Sequence, residues 1–147
     1  MPLNSFNVKG YTSRRAFSGF RIPIPLQSAS IRRYCEDHKF VFNHHVVENL
    51  TPETFLVLER VVAEAHLYDG IAMCSIGMLP SEMAYRTSLL QRCIDAEVSV
   101  HFIFEQYVVR TTKDLAELND LLSLVQVLAS SPSRASIIAD VLSRHQD

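Results

Sequence analysis

The chain has 147 residues, a formal net charge of −2 and 48% hydrophobic residues, a composition typical of one soluble globular domain. It contains no run of about 20 apolar residues, which a membrane span requires, and residues 1–10 lack the features of a secretory signal. We therefore expect a cytoplasmic protein without a membrane partner. The nearly neutral charge excludes a strongly basic protein that binds nucleic acid over its whole surface, so any anion site must be local.

Three cysteines, Cys35, Cys74 and Cys93, stand far apart in the sequence. An odd number without regular spacing argues against a disulfide framework, and no Cys-x-x-Cys motif indicates a zinc site. His44 and His45 are neighbours in a predicted strand and would face opposite sides of a sheet, so they cannot hold one metal together. We predict neither a metal nor a cofactor.

The first half of the chain alternates between strand and helix patterns. Residues 6–11 alternate weakly between apolar and polar and predict a first strand, which ends at a loop rich in glycine, serine and arginine. Pro25 begins a helical pattern whose apolar residues share one side. The apolar run at residues 40–47 predicts a second strand. Thr51 as cap and Pro52 in the first turn predict the start of a second helix.

The same alternation continues in the second half. A short buried strand is predicted at residues 71–75, and Ser81 is a suitable cap for a third helix. The β-branched and aromatic residues at 98–105 are typical of a central strand, and residues 107–109 suit an edge strand. A helical pattern then runs from Thr112 to about Ala129, and a final helix is predicted at about 132–145.

This order of elements predicts an α/β fold. Strands that alternate with helices imply right-handed crossovers and a parallel sheet covered on both faces. We therefore expect a three-layer sandwich with a mostly parallel four- to five-stranded sheet, similar to flavodoxin, and an extra C-terminal helix. No linker separates parts of the chain, so residues 1–147 are predicted to form a single domain with its core at about 5–129.

In such sheets ligands bind beyond the carboxyl ends of the strands, near the point where the strand order reverses. The residues that follow each predicted strand are therefore the candidates for a site. The candidate catalytic residues are Ser13, Glu48 and Glu105. The candidate substrate-binding residues are Tyr11, Thr12, Arg14, Arg15, Arg21, Asn49, Ser75 and Met78.

The arginine-rich loop after the first strand is the most informative candidate. Guanidinium groups bind phosphate or carboxylate in bidentate fashion, so this loop suits a phosphorylated or carboxylated ligand. Ser13 could be a nucleophile whose developing charge the arginines stabilise. Glu48 and Glu105 could serve as general acid and base, or could simply pair with the arginines. The alternative for the whole loop is a solvated segment whose arginines pair with nearby acidic residues.

The sequence also predicts the positions of two further residues. His101 lies inside the fourth predicted strand and is expected to be a hydrogen-bonded histidine of the core. Arg86, one turn into the third helix, is expected to point toward the same rim as Met78.

Short motifs lie in a definite order between residues 9 and 125. They are Gly10-Tyr11-Thr12-Ser13, Arg21-Ile22-Pro23, Gln27, Ile31-Arg32, Tyr34-Cys35, Asp69-Gly70-Ile71, Ser75, Leu79-Pro80, His101-Phe102 and Glu105. In order and spacing they resemble the sporadic carbohydrate cluster proteins. That resemblance implies a gene carried in clusters that build surface polysaccharides or other unusual sugars, and it implies no particular reaction.

A more distant likeness is carried by Gly10-Tyr11, Gln27 and Tyr34-Cys35, which resemble the catalytic domain of serine recombinases, also called resolvases. This family implies a resolvase-like fold and chemistry on DNA. Aligned without gaps, the family's first arginine falls on Ser13 and its nucleophilic serine on Arg15. The family's later Asp-Arg-Leu-x-x-Arg signature aligns with residues 75–80, which contain no arginine. The resemblance therefore supports the fold and not the DNA chemistry.

The main functional prediction is an enzyme of carbohydrate biosynthesis, an isomerase, lyase or transferase that acts on a phosphorylated or nucleotide-linked sugar. One alternative is a non-catalytic partner of a biosynthetic enzyme, with an exposed apolar patch on the last two helices. A weaker alternative is a degenerate recombinase-like domain associated with DNA. We also expect a homo-oligomer, possibly a dimer, because recombinase-like domains often pair through a long helix such as the one predicted at Asp114 to Ala129.

Overall fold

A computed structural model describes residues 5–17, 21–48 and 54–129, and the side chains as far as Val125. The chain divides into two compact units, Met1–Leu115 and Ala116–Asp147. The first unit contains the whole sheet. In the second, residues 116–129 continue a helix, and the helix predicted at 132–145 lies outside the described residues. The extent of a single domain over the whole chain stays a prediction.

The described part of the first unit contains five strands and three helices, and a fourth helix begins in it. The strands are β1 (Asn7–Ser13), β2 (Val41–Glu48), β3 (Gly70–Met73), β4 (Ser99–Phe102) and β5 (Tyr107–Val109). The helices are α1 (Ile24–His38), α2 (Leu56–Ala63), α3 (Met83–Asp95) and α4 (Thr112–Ala129), with short 3-10 turns at Ala65–Leu67 and Ile76–Met78. None of the helices in these ranges is both long and apolar enough to cross a bilayer.

The sheet has the order β2-β1-β3-β4-β5. Strand β1 pairs in parallel with β2 on one side and with β3 on the other, and β3 pairs in parallel with β4. Only β5 is antiparallel, as an edge strand beside β4. The predicted α/β fold with a mostly parallel sheet is thus confirmed, whereas its division into three layers stays a prediction. The strand order reverses between β1 and β3, which is the position where ligands bind in such folds.

The core of the sheet is made by its middle strands. All residues of β3 and β4 are buried, as expected for strands with neighbours on both edges. Gly10 allows β1 and β2 to pack closely, because a Cβ atom there would lie 3.0 Å from the Cβ of His45 and from the ring of Phe42. Helix α1 ends at Lys39, which has a left-handed φ of 59°. Phe40 then donates its N–H to Cys35 O at 2.8 Å and leads directly into β2.

Several boundaries differ from the prediction. Strand β4 ends at Phe102 instead of continuing to residue 105, because residues 103–106 form a turn. Helix α3 begins at Met83, and the residue before its first turn is Glu82 instead of Ser81. The described part of α2 begins at Leu56. Thr51 and Pro52, the predicted start of that helix, lie outside the described residues.

Candidate functional site

A cavity of about 440 Å³ lies beyond the carboxyl ends of β1 and β3. One wall is formed by the residues that end and follow β1, and the opposite wall by the loop between β3 and α3. Its volume is in the range of small-ligand sites. The lining residues are Ser13, Arg15, Ala16, Phe17, Phe55, Gly77, Met78, Leu79, Pro80, Ser81, Glu82 and Tyr85.

Ser13 is held at this wall by the buried side chain of Gln27. The Gln27 amide accepts the Ser13 N–H at 3.0 Å through Oε1 and donates through Nε2 to Ser13 O at 2.7 Å and to Ile22 O at 2.8 Å. The Ser13 hydroxyl oxygen accepts the backbone N–H of Arg15 at 3.1 Å. The end of β1 is thereby fixed to helix α1, and the turn that follows it aims Arg15 toward the cavity.

Arg15 lies between an acidic and an aromatic neighbour. Its Nη2 is 3.8 Å from Oε1 of Glu48, and its guanidinium lies 4.1 Å from the ring centroid of Phe55, a cation–π distance. The Arg15 side chain is 18% exposed and that of Glu48 is 2% exposed. Among the described residues, neither Nη2 nor the buried Tyr11 hydroxyl has a hydrogen-bond partner of regular geometry, although Tyr11 is close enough to interact with both Arg15 and Glu48. Arg15 is therefore a partly buried cation whose hydrogen-bonding capacity is incompletely used.

Glu48 is the buried counter-ion of Arg15. Burial raises the pKa of Glu48 above its ordinary value, while the backbone N–H of Leu58 and the charge of Arg15 act in the opposite direction. The Leu58 N–H donates to Oε2 of Glu48 at 3.2 Å. Burial also raises the pKa of Tyr11 far above its usual range, and the Glu48 carboxylate adds to this effect. The Tyr11 phenol therefore stays neutral.

The loop after β3 forms the opposite wall and is fixed at both of its ends. At the beginning, Ser75 Oγ donates to Oε2 of Glu105 at 2.7 Å, and the Ile76 N–H donates to Oε1 at 3.1 Å. At the end, Nη1 of the buried Arg86 donates to Pro80 O at 3.2 Å and to Ser81 O at 3.1 Å. These contacts place the buried side chain of Met78 against the cavity.

The start of α3 also faces the cavity, because Ser81 and Glu82, which precede the helix, and Tyr85 in its first turn line the cavity. The N-terminus of a helix of 13 residues carries a partial positive charge and free backbone N–H groups, both of which favour an anion. Glu82 opposes that charge from its exposed position at the rim.

The structure brings only part of the predicted set together. Ser13, Arg15 and Met78 line the cavity, and Tyr11 and Glu48 lie behind Arg15. Asn49 lies outside the described residues. Phe55 and Tyr85 were not expected there, and no pattern in the sequence distinguishes them from ordinary aromatic residues of a helix.

The remaining predicted residues have other positions. Thr12 is buried and donates its hydroxyl to Val46 O at 2.8 Å, so it joins β1 to β2. Arg14 and Arg21 are exposed and line a separate shallow depression of about 330 Å³ beside the start of α1. Ser75 and Glu105 are hydrogen-bonded to each other at the beginning of the loop after β3, and neither lines the cavity.

His101 is the hydrogen-bonded core histidine that the sequence predicts. Its Nδ1 is hydrogen-bonded to the Tyr34 hydroxyl at 2.6 Å and its Nε2 to Ser99 Oγ at 2.7 Å. Burial lowers the pKa of His101 to about 4, helped by the positive charges of Arg110 and His38. Among the described residues no group of three histidine, cysteine or acidic side chains is arranged to hold a metal ion.

Solved structures similar to this chain include an integrase catalytic domain and two recombinases. The N-terminal catalytic domain of TP901-1 integrase has a TM-score of 0.62 at 15% identity, covering 84% of this chain and 96% of its own. A resolvase family site-specific recombinase from Streptococcus pneumoniae has a TM-score of 0.59 at 10% identity, covering 95% and 99%. The C-terminal catalytic domain of ISC1926 TnpA, an IS607-like serine recombinase, has a TM-score of 0.55 at 14% identity, covering 97% and 100%.

These likenesses show that the chain has a resolvase-like fold, as the weaker of the two sequence resemblances implies. At such low identities they show the fold alone. No protein-family model matches the chain, and no curated protein sequence matches it. The comparisons give no support to a relationship with the sporadic carbohydrate cluster proteins.

Proposed function

We propose that this chain is a recombinase-like domain that binds a phosphate group of a nucleic acid in the cavity beyond β1 and β3, and that it does not cleave the nucleic-acid strand. The observation that carries the proposal is the convergence of Arg15, Ser13 and the start of α3 on one cavity, where the strand order reverses. A guanidinium, a hydroxyl and free helix N–H groups are donors suited to phosphate oxygens.

The nucleic acid is suggested by the fold. This fold is shared, over most of the chain, by an integrase catalytic domain, a site-specific recombinase and a serine recombinase. The net charge of −2 does not favour binding over a wide surface, so we expect weak binding through few phosphate contacts.

Binding without cleavage follows from the charges around Ser13. Transfer of a phosphoryl group requires several positive groups that stabilise the developing charge. Of the described residues that line the cavity, Arg15 is the one lysine or arginine, and Glu48 and Glu82 oppose it. No described carboxylate or imidazole is hydrogen-bonded to Ser13 Oγ, where a general base would lie.

Fluorescence anisotropy with labelled single-stranded and duplex DNA tests the proposal. We expect salt-sensitive binding that Arg15→Gln weakens about tenfold, since hydrogen bonds to charged groups contribute about 1.5–3 kcal/mol. Arg33→Gln is the matched control, because it removes the same charge from an exposed side chain that pairs with Asp37. Equal affinities of Arg15→Gln and wild type would contradict the proposal. Nicking of supercoiled DNA that Ser13→Ala abolishes would contradict the absence of cleavage.

A second candidate is the sugar-phosphate enzyme that the sequence predicts. The observation in its favour is the volume of about 440 Å³, which suits a ligand the size of a sugar phosphate. Thermal unfolding with sugar phosphates and nucleotide sugars separates the two. A ligand at about a hundred times its dissociation constant adds about 2.7 kcal/mol. Stabilisation by one such sugar, lost in Arg15→Gln and without DNA binding, would favour this candidate.

A further inference from the structure

The pairing of Arg15 with Glu48 limits how well the cavity can receive an anion. The distance of 3.8 Å from Nη2 of Arg15 to Oε1 of Glu48 is long for a charged hydrogen bond, and Nη2 has no regular hydrogen-bond partner in the part of the chain that the structure describes. The two groups attract each other without the bidentate geometry that would satisfy the guanidinium. An incoming phosphate oxygen would therefore compete with Glu48 for Arg15.

The charges around the cavity have the wrong balance for a phosphate when Glu48 is ionised. Arg15 contributes one positive charge, while Glu48 behind it and Glu82 at the rim contribute two negative charges. A protonated Glu48 would leave Arg15 opposed by Glu82 alone. Removal of the Glu48 charge, which lies 3.8 Å from Arg15, should strongly raise the affinity of this partly buried site for an anion.

We propose that Glu48 is a proton-dependent counter-ion of Arg15, so that a phosphate group enters the cavity together with a proton that Glu48 binds. This inference rests on the proposed function and adds to it a regulation by pH. The ionised carboxylate competes with the anion for the guanidinium. The neutral carboxyl group releases it, and the anion takes its place as the partner of Arg15.

The surroundings of Glu48 favour such coupling. Its carboxyl group is buried, and burial raises its pKa, so protonation costs less free energy than it does for an exposed carboxylate. The described titratable groups that face Glu48 are Tyr11 from β1, Arg15 from the turn after β1, and Tyr85 from α3. The Tyr85 hydroxyl donates a hydrogen bond to Glu59 of α2 at 2.7 Å. Burial keeps both phenols neutral, so Arg15 is the one charged group among these that touches Glu48.

Sulfate is a suitable probe, because it resembles phosphate in shape and keeps its charge over the range tested. Its dissociation constant is measured by NMR titration from about pH 5 to about pH 8, and proton uptake by calorimetry in buffers of different ionisation enthalpy. Above the pKa of Glu48 we expect the affinity of wild type to fall by up to about tenfold per pH unit. Glu48→Gln is expected to bind sulfate tightly across the range, without proton uptake.

Two control variants complete the experiment. Glu59→Gln removes a half-exposed carboxylate that is bonded to Tyr85 and Arg92, and we expect it to keep the pH dependence. Glu48→Gln should fold, because its amide oxygen can still accept the Leu58 N–H, and circular dichroism checks this.

The outcomes separate the inference from the proposed function. Sulfate binding that requires Arg15 but has the same pH dependence in wild type and Glu48→Gln would overturn the inference and leave the proposed function intact. Sulfate binding that is unaffected by Arg15→Gln, or no binding to wild type and Glu48→Gln at any pH, would overturn both.

Discussion

Adjacent residues of the loop after β1 have different environments. The Arg14 N–H donates to Glu48 O at 3.3 Å and its side chain is exposed, whereas the Arg15 N–H donates to Ser13 Oγ and its side chain lies against Phe55 and Glu48. The sequence predicts an anion-binding loop but cannot show which arginine faces the cavity. That choice depends on a turn whose hydrogen bonds come from β2 and from Ser13.

The environment of His101, unlike that of Arg14 and Arg15, could be predicted from its position in a strand. An imidazole within a β-branched and aromatic run must be buried in the sheet, and burial requires hydrogen-bond partners. Tyr34 and Ser99 supply them.

The low pKa of His101 predicts a loss of stability in acid. Burial lowers this pKa from 6.5 to about 4, so between these pH values the unfolded chain binds a proton that the folded chain does not. The free energy of unfolding should therefore decrease as the pH falls from 6.5 to about 4, by on the order of 3 kcal/mol, and this contribution should be absent above 6.5. Urea unfolding at several pH values measures it.

His101→Gln should show a shallower dependence in this window, because it removes the titrating group. The matched control is His66→Gln, at an exposed position in the 3-10 turn after α2, which should keep the wild-type slope. Equal slopes for His101→Gln and wild type would show that His101 is charged in the folded protein.

At the level of elements, the loop between β3 and α3 is defined by groups distant in sequence. Glu105 was expected to extend a strand and reach the site. Instead the strand ends at Phe102, and a turn closed by Gln106, with a φ of 53°, directs Glu105 to Ser75 and Ile76. No glycine or asparagine marks this left-handed residue, which is why local turn rules did not indicate the turn.

Loss of the Glu105 carboxylate should loosen the cavity wall. In Glu105→Ala the Ser75 hydroxyl and the Ile76 N–H lose their acceptor, so we expect faster amide hydrogen exchange in residues 75–82 and a stability loss of about 1–3 kcal/mol. Hydrogen-exchange mass spectrometry measures the first and urea unfolding the second. Glu36→Ala, at an exposed position of α1, is the control. Unchanged exchange in this loop would show that Arg86 alone fixes it.

At the level of the whole molecule, the fold class could be predicted because apolar strands alternate with helices along the chain. The site could be predicted only in part. The rule for ligand positions selected the edge of the sheet at which the cavity lies, but Phe55 and Tyr85 enter the cavity through the packing of α2 and α3. Arg14 and Arg21 are separated from Arg15 by the path of the loop. Such packing depends on contacts between distant segments, which a single sequence does not display.

We predict that the chain self-associates through exposed apolar side chains of α4. Leu121, Leu124 and Val125 are each more than half exposed and lie on one side of the helix, so a partner surface would bury them. We expect light scattering after size exclusion to give the mass of a dimer for wild type and of a monomer for Leu121→Glu/Leu124→Glu. Ser123→Glu, on the opposite side of the helix, should remain dimeric. A monomeric wild type would contradict the prediction.

The interior position of β1 has a consequence for the order in which the chain folds. Strand β1 is synthesised before both of its neighbours, and Val8 cannot pair with Gly70 of β3 until about sixty further residues have been made. Until then only the β1–α1–β2 segment can assemble, with one flank of β1 open to solvent. Pairing between segments so remote slows folding and exposes an unpaired edge to other nascent chains.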